Sequence, residues 1–387
     1  MRREHTPEVP AAAMKSLAAI LVESGRPRPY ADSRPLEIAE VELDPPGPGE
    51  VLLEMRAAGL CHSDLSVIDG NRPRPLPLAL GHEGAGVVAV VGEGVTALQP
   101  GDRVVTAFVA ACGHCAPCAK GRPALCEPGM AANVAGTLLS GARRLHRGAP
   151  VNHHLGVSAF ATHAVVAHES CVKVPQDLPF AEAAVFGCAV LTGVGAVVNT
   201  AGLPRGASVA VIGLGGVGLA ALLGARRLEA APLVAVDLGE EKLELARALG
   251  ATHAFNATDP DCAERIREAT GGGVDFAFEM AGAVPALELA WNASARGGTV
   301  VSAGLSHPER MFCLRHVTLV AEERSLKGSY LGGATPARDI PRFIEWYRRG
   351  ELPVDRLLSE RIALADINAA FDRLAEGRTV RQVVEFG

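Results

Sequence analysis

Four cysteines, Cys112, Cys115, Cys118 and Cys126, stand in a C-x2-C-x2-C-x7-C pattern. Thiolates this close along a chain can close a tetrahedral zinc site. Four protein ligands leave no position for a substrate, so such a site is structural. Gly113, Pro117 and Gly121 give the loop room to wrap. Reduced thiols in a loop and an iron–sulfur centre are the alternatives. A second group is dispersed. Cys61-His62-Ser63-Asp64 follows a turn-like Ala57-Ala58-Gly59-Leu60, Gly81-His82-Glu83-Gly84 comes later, and Gly187-Cys188 later still. One histidine and two cysteines would hold zinc by three ligands and leave the fourth position open, the catalytic arrangement. Read in isolation, His82 would more often be an ordinary loop histidine and Cys188 a core cysteine.

A third pattern, Gly213-Leu214-Gly215-Gly216-Val217-Gly218, is G-x-G-x-x-G. It follows an apolar run and opens an apolar helix, the context that gives this short motif meaning. Glycines there allow a tight turn and let the backbone approach a pyrophosphate at a helix N-terminus. Asp237 ends the next apolar run, 19 residues after Gly218. A carboxylate at that place accepts hydrogen bonds from the adenosine ribose and repels a 2′-phosphate, which favours NAD over NADP. A glycine-rich turn that binds nothing is the alternative.

These groups need two kinds of scaffold. Before residue 190 short β-rich runs (Val51 to Met55, Gly86 to Val91, Arg103 to Phe108) lie between turns such as Pro45-Pro46-Gly47-Pro48-Gly49 and Pro100-Gly101-Asp102. That pattern predicts a barrel-like β domain. After it, Val209 to Ile212, Leu233 to Asp237, Ala251 to Phe255, Asp275 to Glu279 and Gly298 to Ser302 alternate with helical segments. Such alternation predicts βαβ units and a doubly wound parallel sheet. Helices at Ile340 to Arg349 and Ala365 to Glu376 precede a last strand, Val380 to Glu385, which is expected to return to the first domain.

At 387 residues two domains are expected. Hydrophobic residues at 48% and charged residues at 21% exclude a disordered chain. A net charge of −6 provides no attraction to nucleic acid or to an anionic membrane. Sixteen aromatic residues (Phe 11, Tyr 3, Trp 2) leave few platforms for stacking single-stranded bases. Met1 to Pro10 are charged and proline-bearing, without the apolar core of a secretory signal, and the cysteines sit at metal-ligand spacing. The expected location is cytoplasmic. Ala207 to Ala225 has the length of a membrane span, yet its glycines read as strand, turn and helix. Residues 1–13 read as an extension, and Cys171, Cys262 and Cys313 as isolated small apolar side chains.

In their order along the chain these motifs resemble the zinc-dependent alcohol dehydrogenases of the medium-chain dehydrogenase/reductase superfamily, over about Met14 to Gly387. The resemblance rests on Cys61-His62-Ser63-Asp64, Gly81-His82-Glu83, the four-cysteine lobe, Gly187-Cys188 with Thr192-Gly193, and the glycine fingerprint with Asp237. It implies a GroES-like catalytic domain (14–189 and 330–387, with the zinc lobe at 112–126) interrupted by a Rossmann NAD-binding domain (190–329). Two zinc ions per chain are implied, one on Cys61, His82 and Cys188 and one on the lobe. Asp64 resembles the carboxylate that orients the histidine ligand, Glu83 the acidic residue behind the metal, and Ser63 the group that takes the hydroxyl proton. His62 and Arg381 resemble contacts to the cofactor pyrophosphate, and Lys242 a contact to the adenosine ribose. Thr192, Val217 and Met280 match positions lining the nicotinamide.

The implied reaction is reversible oxidation of a primary or secondary alcohol to an aldehyde or ketone by hydride transfer to NAD+, with zinc as Lewis acid. The long stretch between the lobe and Cys188 resembles that of the dimeric family members, so a homodimer is expected. Two positions depart from close relatives. Ser66 stands where several members carry a relaying histidine. Met130 stands where glutathione-dependent formaldehyde dehydrogenases carry the arginine that binds the glutathione carboxylate. Phe108, Met130 and Leu305 together suggest an apolar pocket for a medium-sized alcohol. The alternatives are glutathione-dependent formaldehyde oxidation and a zinc- and NAD-binding sensor without catalysis, which one zinc per chain instead of two would favour.

Overall fold

The computed structural model describes residues 12–387. The expected extension 1–13 therefore falls, apart from Ala12 and Ala13, outside the described residues. By its internal contacts the chain divides into two units. Among the described residues, one comprises 12–187, 360–376 and 382–387, and the other 188–359 and 377–381.

In the first unit five strands close a small barrel: Met14–Leu21, Leu36–Leu43, Leu145–His146, Pro150–His153 and Leu78–Ala79. A seven-stranded sheet is built around the long strand Glu50–Gly59, which pairs antiparallel with Glu83–Val91 and His163–Ala167. Strand Arg381–Glu385 pairs antiparallel with the same strand, Val383 facing Gly59 and Val384 facing Ala58. Alternation of large apolar side chains along these strands fills one core, with Leu53, Met55, Leu60, Phe160 and Phe371 fully buried. This is the β-rich domain that the turn-punctuated first half predicts.

One buried histidine shows how polar groups are accommodated in this barrel. His153 accepts the Arg144 backbone N–H at Nε2 (3.0 Å) and lies 3.4 Å from the Ser158 hydroxyl at Nδ1. Burial, joined by the charges of Arg143, Arg144 and His146, lowers its pKa to about 3. The native state therefore holds the neutral form while the unfolded chain takes up a proton near 6.5. That contribution to stability is present above pH 6.5 and is lost as pH falls towards 3. The thermal midpoint of the wild type should drop between pH 7.5 and 5.5 by more than that of His153→Gln. Equal drops would show that another group carries the acid sensitivity.

The second unit holds a six-stranded sheet in which every neighbouring pair is parallel. Its order is His253–Asn256, Leu233–Asp237, Val209–Ile212, Val274–Glu279, Ser294–Ser302, Ser325–Gly328. In chain order this is 3-2-1-4-5-6, the doubly wound Rossmann arrangement. The central strand Val209–Ile212 is buried throughout, as its unbroken apolar run predicts. Ala207 to Ala225 is resolved into that strand and the helix Gly216–Arg227.

Two features differ from expectation. The return to the first domain was expected at 330, whereas residues through Ser359 pack with the second unit. Helix Pro336–Arg348 explains why, because its buried face (Ile340, Phe343, Ile344) and its buried Asp339 are satisfied there. Asp339 lies 3.3 Å from the Asn199 amide and 2.9 Å from the Thr335 N–H. Secondly, a helical segment at Phe180–Ala201, which the turn and strand pattern does not announce, is long and apolar enough to cross a membrane. The protein itself buries 94% of its apolar window, as in a core helix. Of the isolated cysteines, Cys262 is buried, Cys171 partly buried and Cys313 exposed.

Candidate active site

Strand Glu50–Gly59 delivers the chain to Cys61, whose extended backbone caps the short helix His62–Ile68. Leu60 is pinned from the other side, its N–H donating to the Gln382 carbonyl at 2.9 Å. The first turn of the helix directs Asp64 inward, where it is completely buried, and leaves Ser63 half-buried and His62 exposed. His82 and Glu83 enter at the start of strand Glu83–Val91, both completely buried. Gly81 precedes them with φ +93°, and a Cβ there would lie 2.4 to 3.0 Å from Phe160 and Ala159 atoms, so only glycine fits.

Asp64 Oδ1 accepts the Gly81 N–H at 3.1 Å and lies 3.2 Å from His82 Nδ1. Burial works against both charges, yet the Asp64 charge draws a proton to His82 and raises its pKa well above the ordinary value. Burial also pushes Asp64 up, and it is overridden by His82 and His154, which hold the carboxyl at about 2. An ionised carboxylate on Nδ1 fixes which ring nitrogen is available and makes the other more basic, the support a metal-bound imidazole needs.

That other nitrogen, His82 Nε2, is buried without a hydrogen-bond partner. Cys188 follows Gly187 in the helical segment that begins in the first unit at Phe180. Cys61, His82, Glu83 and Cys188 can each offer a ligand atom, all within 4.8 Å of one another. An orphaned imidazole nitrogen and two thiols, all buried, are the donor set of a zinc site with one position to spare, and the Glu83 carboxyl lies within the same reach. Phe108 stands edge-on to the His82 ring, with centroids 5.4 Å apart.

The lobe cysteines Cys112, Cys115, Cys118 and Cys126 form the second such group. Cys126 Sγ accepts the N–H groups of Cys112 (3.2 Å) and Gly129 (3.4 Å), and Cys112 Sγ accepts that of Cys115 (3.4 Å). Backbone donors draw Cys115 down to about 7, while burial pushes Cys118 up to about 12 and raises Cys126. Four crowded sulfurs cannot all ionise beside one another, and a divalent cation removes that restriction. The helix that follows, Glu127–Ala135, carries Met130, and its Asn133 amide donates to the Phe108 carbonyl at 2.7 Å.

In the second unit Gly213 has φ +91°, and a Cβ at Gly218 would collide with the Gly213 carbonyl. Space beside Gly215 is open to beyond 4 Å, as a phosphate approaching the backbone requires. Arg381 packs its guanidinium against Gly216, at the start of the helix. Asp237 Oδ2 accepts the Leu214 N–H at 2.6 Å, and Oδ1 accepts those of Leu238 (2.8 Å) and Gly239 (3.0 Å). The carboxylate thus braces the glycine loop as well as ending its strand. The stem of Lys242 borders Gly239 beside it. Thr192 is buried one residue before Gly193, which touches the Val217 carbonyl, and Met280 borders Gly218. Leu305 lies exposed in the loop after Ser302.

Two residues escaped the sequence reading. Glu279 is buried and accepts the N–H groups of Ala281 (2.8 Å) and Gly282 (2.6 Å) and the Ser302 hydroxyl (2.6 Å), which shapes the loop bearing Met280. A charged residue directly after the apolar run Phe276, Ala277 and Phe278 was the available signal. His154, also buried, stands 3.0 Å from Asp64 Oδ1 by its Nδ1. Only the His153-His154 doublet hinted at it.

Comparison with known proteins agrees with this division of labour. Residues 47–176 match the alcohol dehydrogenase GroES-like domain family, and residues 216–349 match the zinc-binding dehydrogenase family. The chain is 38% identical to an S-(hydroxymethyl)glutathione dehydrogenase of Synechocystis sp., over 96% of this chain and 100% of that one. It is 36% identical to the enzyme of that name in Escherichia coli, with the same coverage. Among solved structures, benzyl alcohol dehydrogenase from Acinetobacter calcoaceticus is 33% identical with a TM-score of 0.90, covering 97% of this chain and 100% of that one. An alcohol dehydrogenase zinc-binding domain protein from Burkholderia ambifaria gives 35% and 0.90 at the same coverage. With both domain families matched in order and identity above a third along whole relatives, the chain belongs to the zinc-dependent alcohol dehydrogenase family of the medium-chain dehydrogenase/reductase superfamily.

Proposed function

We propose that this protein oxidises a free alcohol to the aldehyde or ketone, reversibly, with NAD+ as hydride acceptor. The observation that carries the reading is the buried, unpartnered His82 Nε2 grouped with Cys61 and Cys188 beside the apolar Phe108 ring. Zinc held there supplies a Lewis acid that lowers the pKa of an alcohol and polarises a carbonyl. Asp64 fixes the His82 ring, Ser63 takes the hydroxyl proton, and Phe108 keeps water from the reacting carbon. Glu83, buried within reach of the same ligand atoms, is the acidic residue that can transiently approach the metal. His62, Arg381 and the Gly213–Gly218 turn hold the pyrophosphate. Asp237 with Lys242 holds the adenosine ribose, and Thr192, Val217 and Met280 position the nicotinamide.

A second substrate is favoured by the names of the curated relatives, which are S-(hydroxymethyl)glutathione dehydrogenases. Met130 speaks against it. A thioether at the place of an arginine offers no charge to a carboxylate, and with Leu305 it suits an apolar substrate better. The deciding experiment follows absorbance at 340 nm with aliphatic, benzylic and allylic alcohols and with the formaldehyde–glutathione adduct, using NAD+ and NADP+ in parallel. Turnover of free alcohols with NAD+ is expected. Turnover of the adduct alone, or with NADP+ alone, would overturn the substrate or the cofactor assignment respectively.

The same reading puts the enzyme in the cytoplasm, where its nine cysteines, none of them in a disulfide among the described residues, stay reduced. It also makes the enzyme a homodimer. Strand Ser325–Gly328 is exposed at the sheet edge and Met311, Val317 and Val320 are exposed near it in the chain, a surface that a second copy would cover. Light scattering should return twice the chain mass, and a monomer at micromolar concentration would refute the dimer.

A further inference from the structure

The Asp64 carboxylate has two buried histidines, and the family's ligand set accounts for only one of them. Oδ1 faces the Gly81 N–H, His82 Nδ1 and His154 Nδ1 at 3.1, 3.2 and 3.0 Å, while Oδ2, equally buried, makes no hydrogen bond. His154 Nδ1 has the distance for a bond to Asp64 but not the alignment, and it has no other partner. Its ring stands edge-on to that of His82, with centroids 5.5 Å apart at 84°. It sits in the short turn His154–Gly156, where Leu155 has φ +51° and the His154 N–H lies 3.2 Å from the Ser158 hydroxyl. A buried polar ring edge that merely filled space would cost free energy for which an apolar residue has no equivalent.

We propose that His154 is a positioning residue for the zinc ligand His82: it completes the clamp on Asp64, and through that carboxylate it fixes the His82 ring. A modest rotation of either group lets His154 donate to Asp64 and leaves Oδ1 to His82. With three donors around it, the carboxylate cannot swing away from His82. A histidine suits this point of the wall because it both fills space beside His82 and can donate.

The inference rests on the reading that Cys61, His82 and Cys188 hold zinc, and the experiment separates the two. His154→Phe and His154→Gln are prepared as holoenzymes, and zinc per chain is measured for each and for the wild type. Release of zinc to a chelator is then timed, and the absorption bands of the cobalt(II)-substituted forms are recorded. The expected result is two zinc ions in the wild type, release of one of them about tenfold faster in His154→Phe with altered cobalt bands, and substantial restoration in His154→Gln, which keeps a donor. Unchanged release and bands in His154→Phe, with only the melting temperature moved, would reduce His154 to packing and overturn the proposal. One zinc per wild-type chain, held by the lobe, would overturn the site reading and the proposal with it. If His154→Phe does not fold, His154→Gln against His154→Asn gives the same comparison of reach.

Discussion

Exchange of His82 for alanine should leave a folded protein that carries one zinc per chain and turns over at least about a thousandfold more slowly. The factor follows from the several kcal/mol that a Lewis acid supplies to developing charge, at about 1.4 kcal/mol per tenfold in rate. His82 is the member of the group that no neighbour replaces. Its Nε2 is buried without a hydrogen bond, and its Nδ1 is the one Asp64 holds. Metal analysis and steady-state rates check this together. Two zinc ions with near-normal turnover would remove His82 from the ligand set.

Exchange of Cys115 for serine should also lower the zinc count to one, with a different signature. A closed site of four thiolates stores folding free energy and does no chemistry, so the loss is one of stability. A cost of several kcal/mol corresponds to a fall of roughly 10 °C in the melting temperature for a unit of this size. Turnover measured well below that temperature should change little. Asn133 ties the lobe's following helix to the Phe108 carbonyl, so the first sign of activity loss should be a raised KM for bulky alcohols. A variant that keeps both zinc ions, or one that melts like the wild type, would contradict the structural role of the lobe.

These sites were legible in the sequence to the degree that their chemistry is local. The lobe places four ligands within 15 residues, and the glycine turn with its flanking strand and helix is one contiguous unit, so spacing alone conveys their geometry. Cys61, His82 and Cys188 are far apart in the chain, two of them near strand ends and one in a helical segment, so they were recognised through resemblance. Sequence reasoning failed where a side chain acts by what lies across the fold from it. His154 reads as any barrel residue until the turn at Leu155 sets it beside Asp64. Helix Pro336–Arg348 has a plain apolar face, and such a face is the same whichever unit covers it. Its membership is decided by Asp339 and Asn199, 140 positions apart. Glu279 reads as the end of a strand, and only the folded loop at 280–282 reveals three donors converging on it.

The pairing of strand Arg381–Glu385 with Glu50–Gly59 has a consequence for how the protein is made. The β-rich unit cannot complete its largest sheet until more than 300 further residues have left the ribosome, since Val383 must find Gly59. The parallel sheet lies between those partners, and its strands are all available by Gly328. Nested in this way, the parallel-sheet unit has all its strands while the other is still waiting, and synthesis proceeds at only about 5–20 residues per second. Through that interval Ala57–Gly59, the end of strand Glu50–Gly59 that His163–Ala167 does not cover, keep a bare edge, a template for pairing between nascent chains. Expression yield should therefore respond to chaperones and to growth temperature more steeply than the stability of the finished protein would suggest.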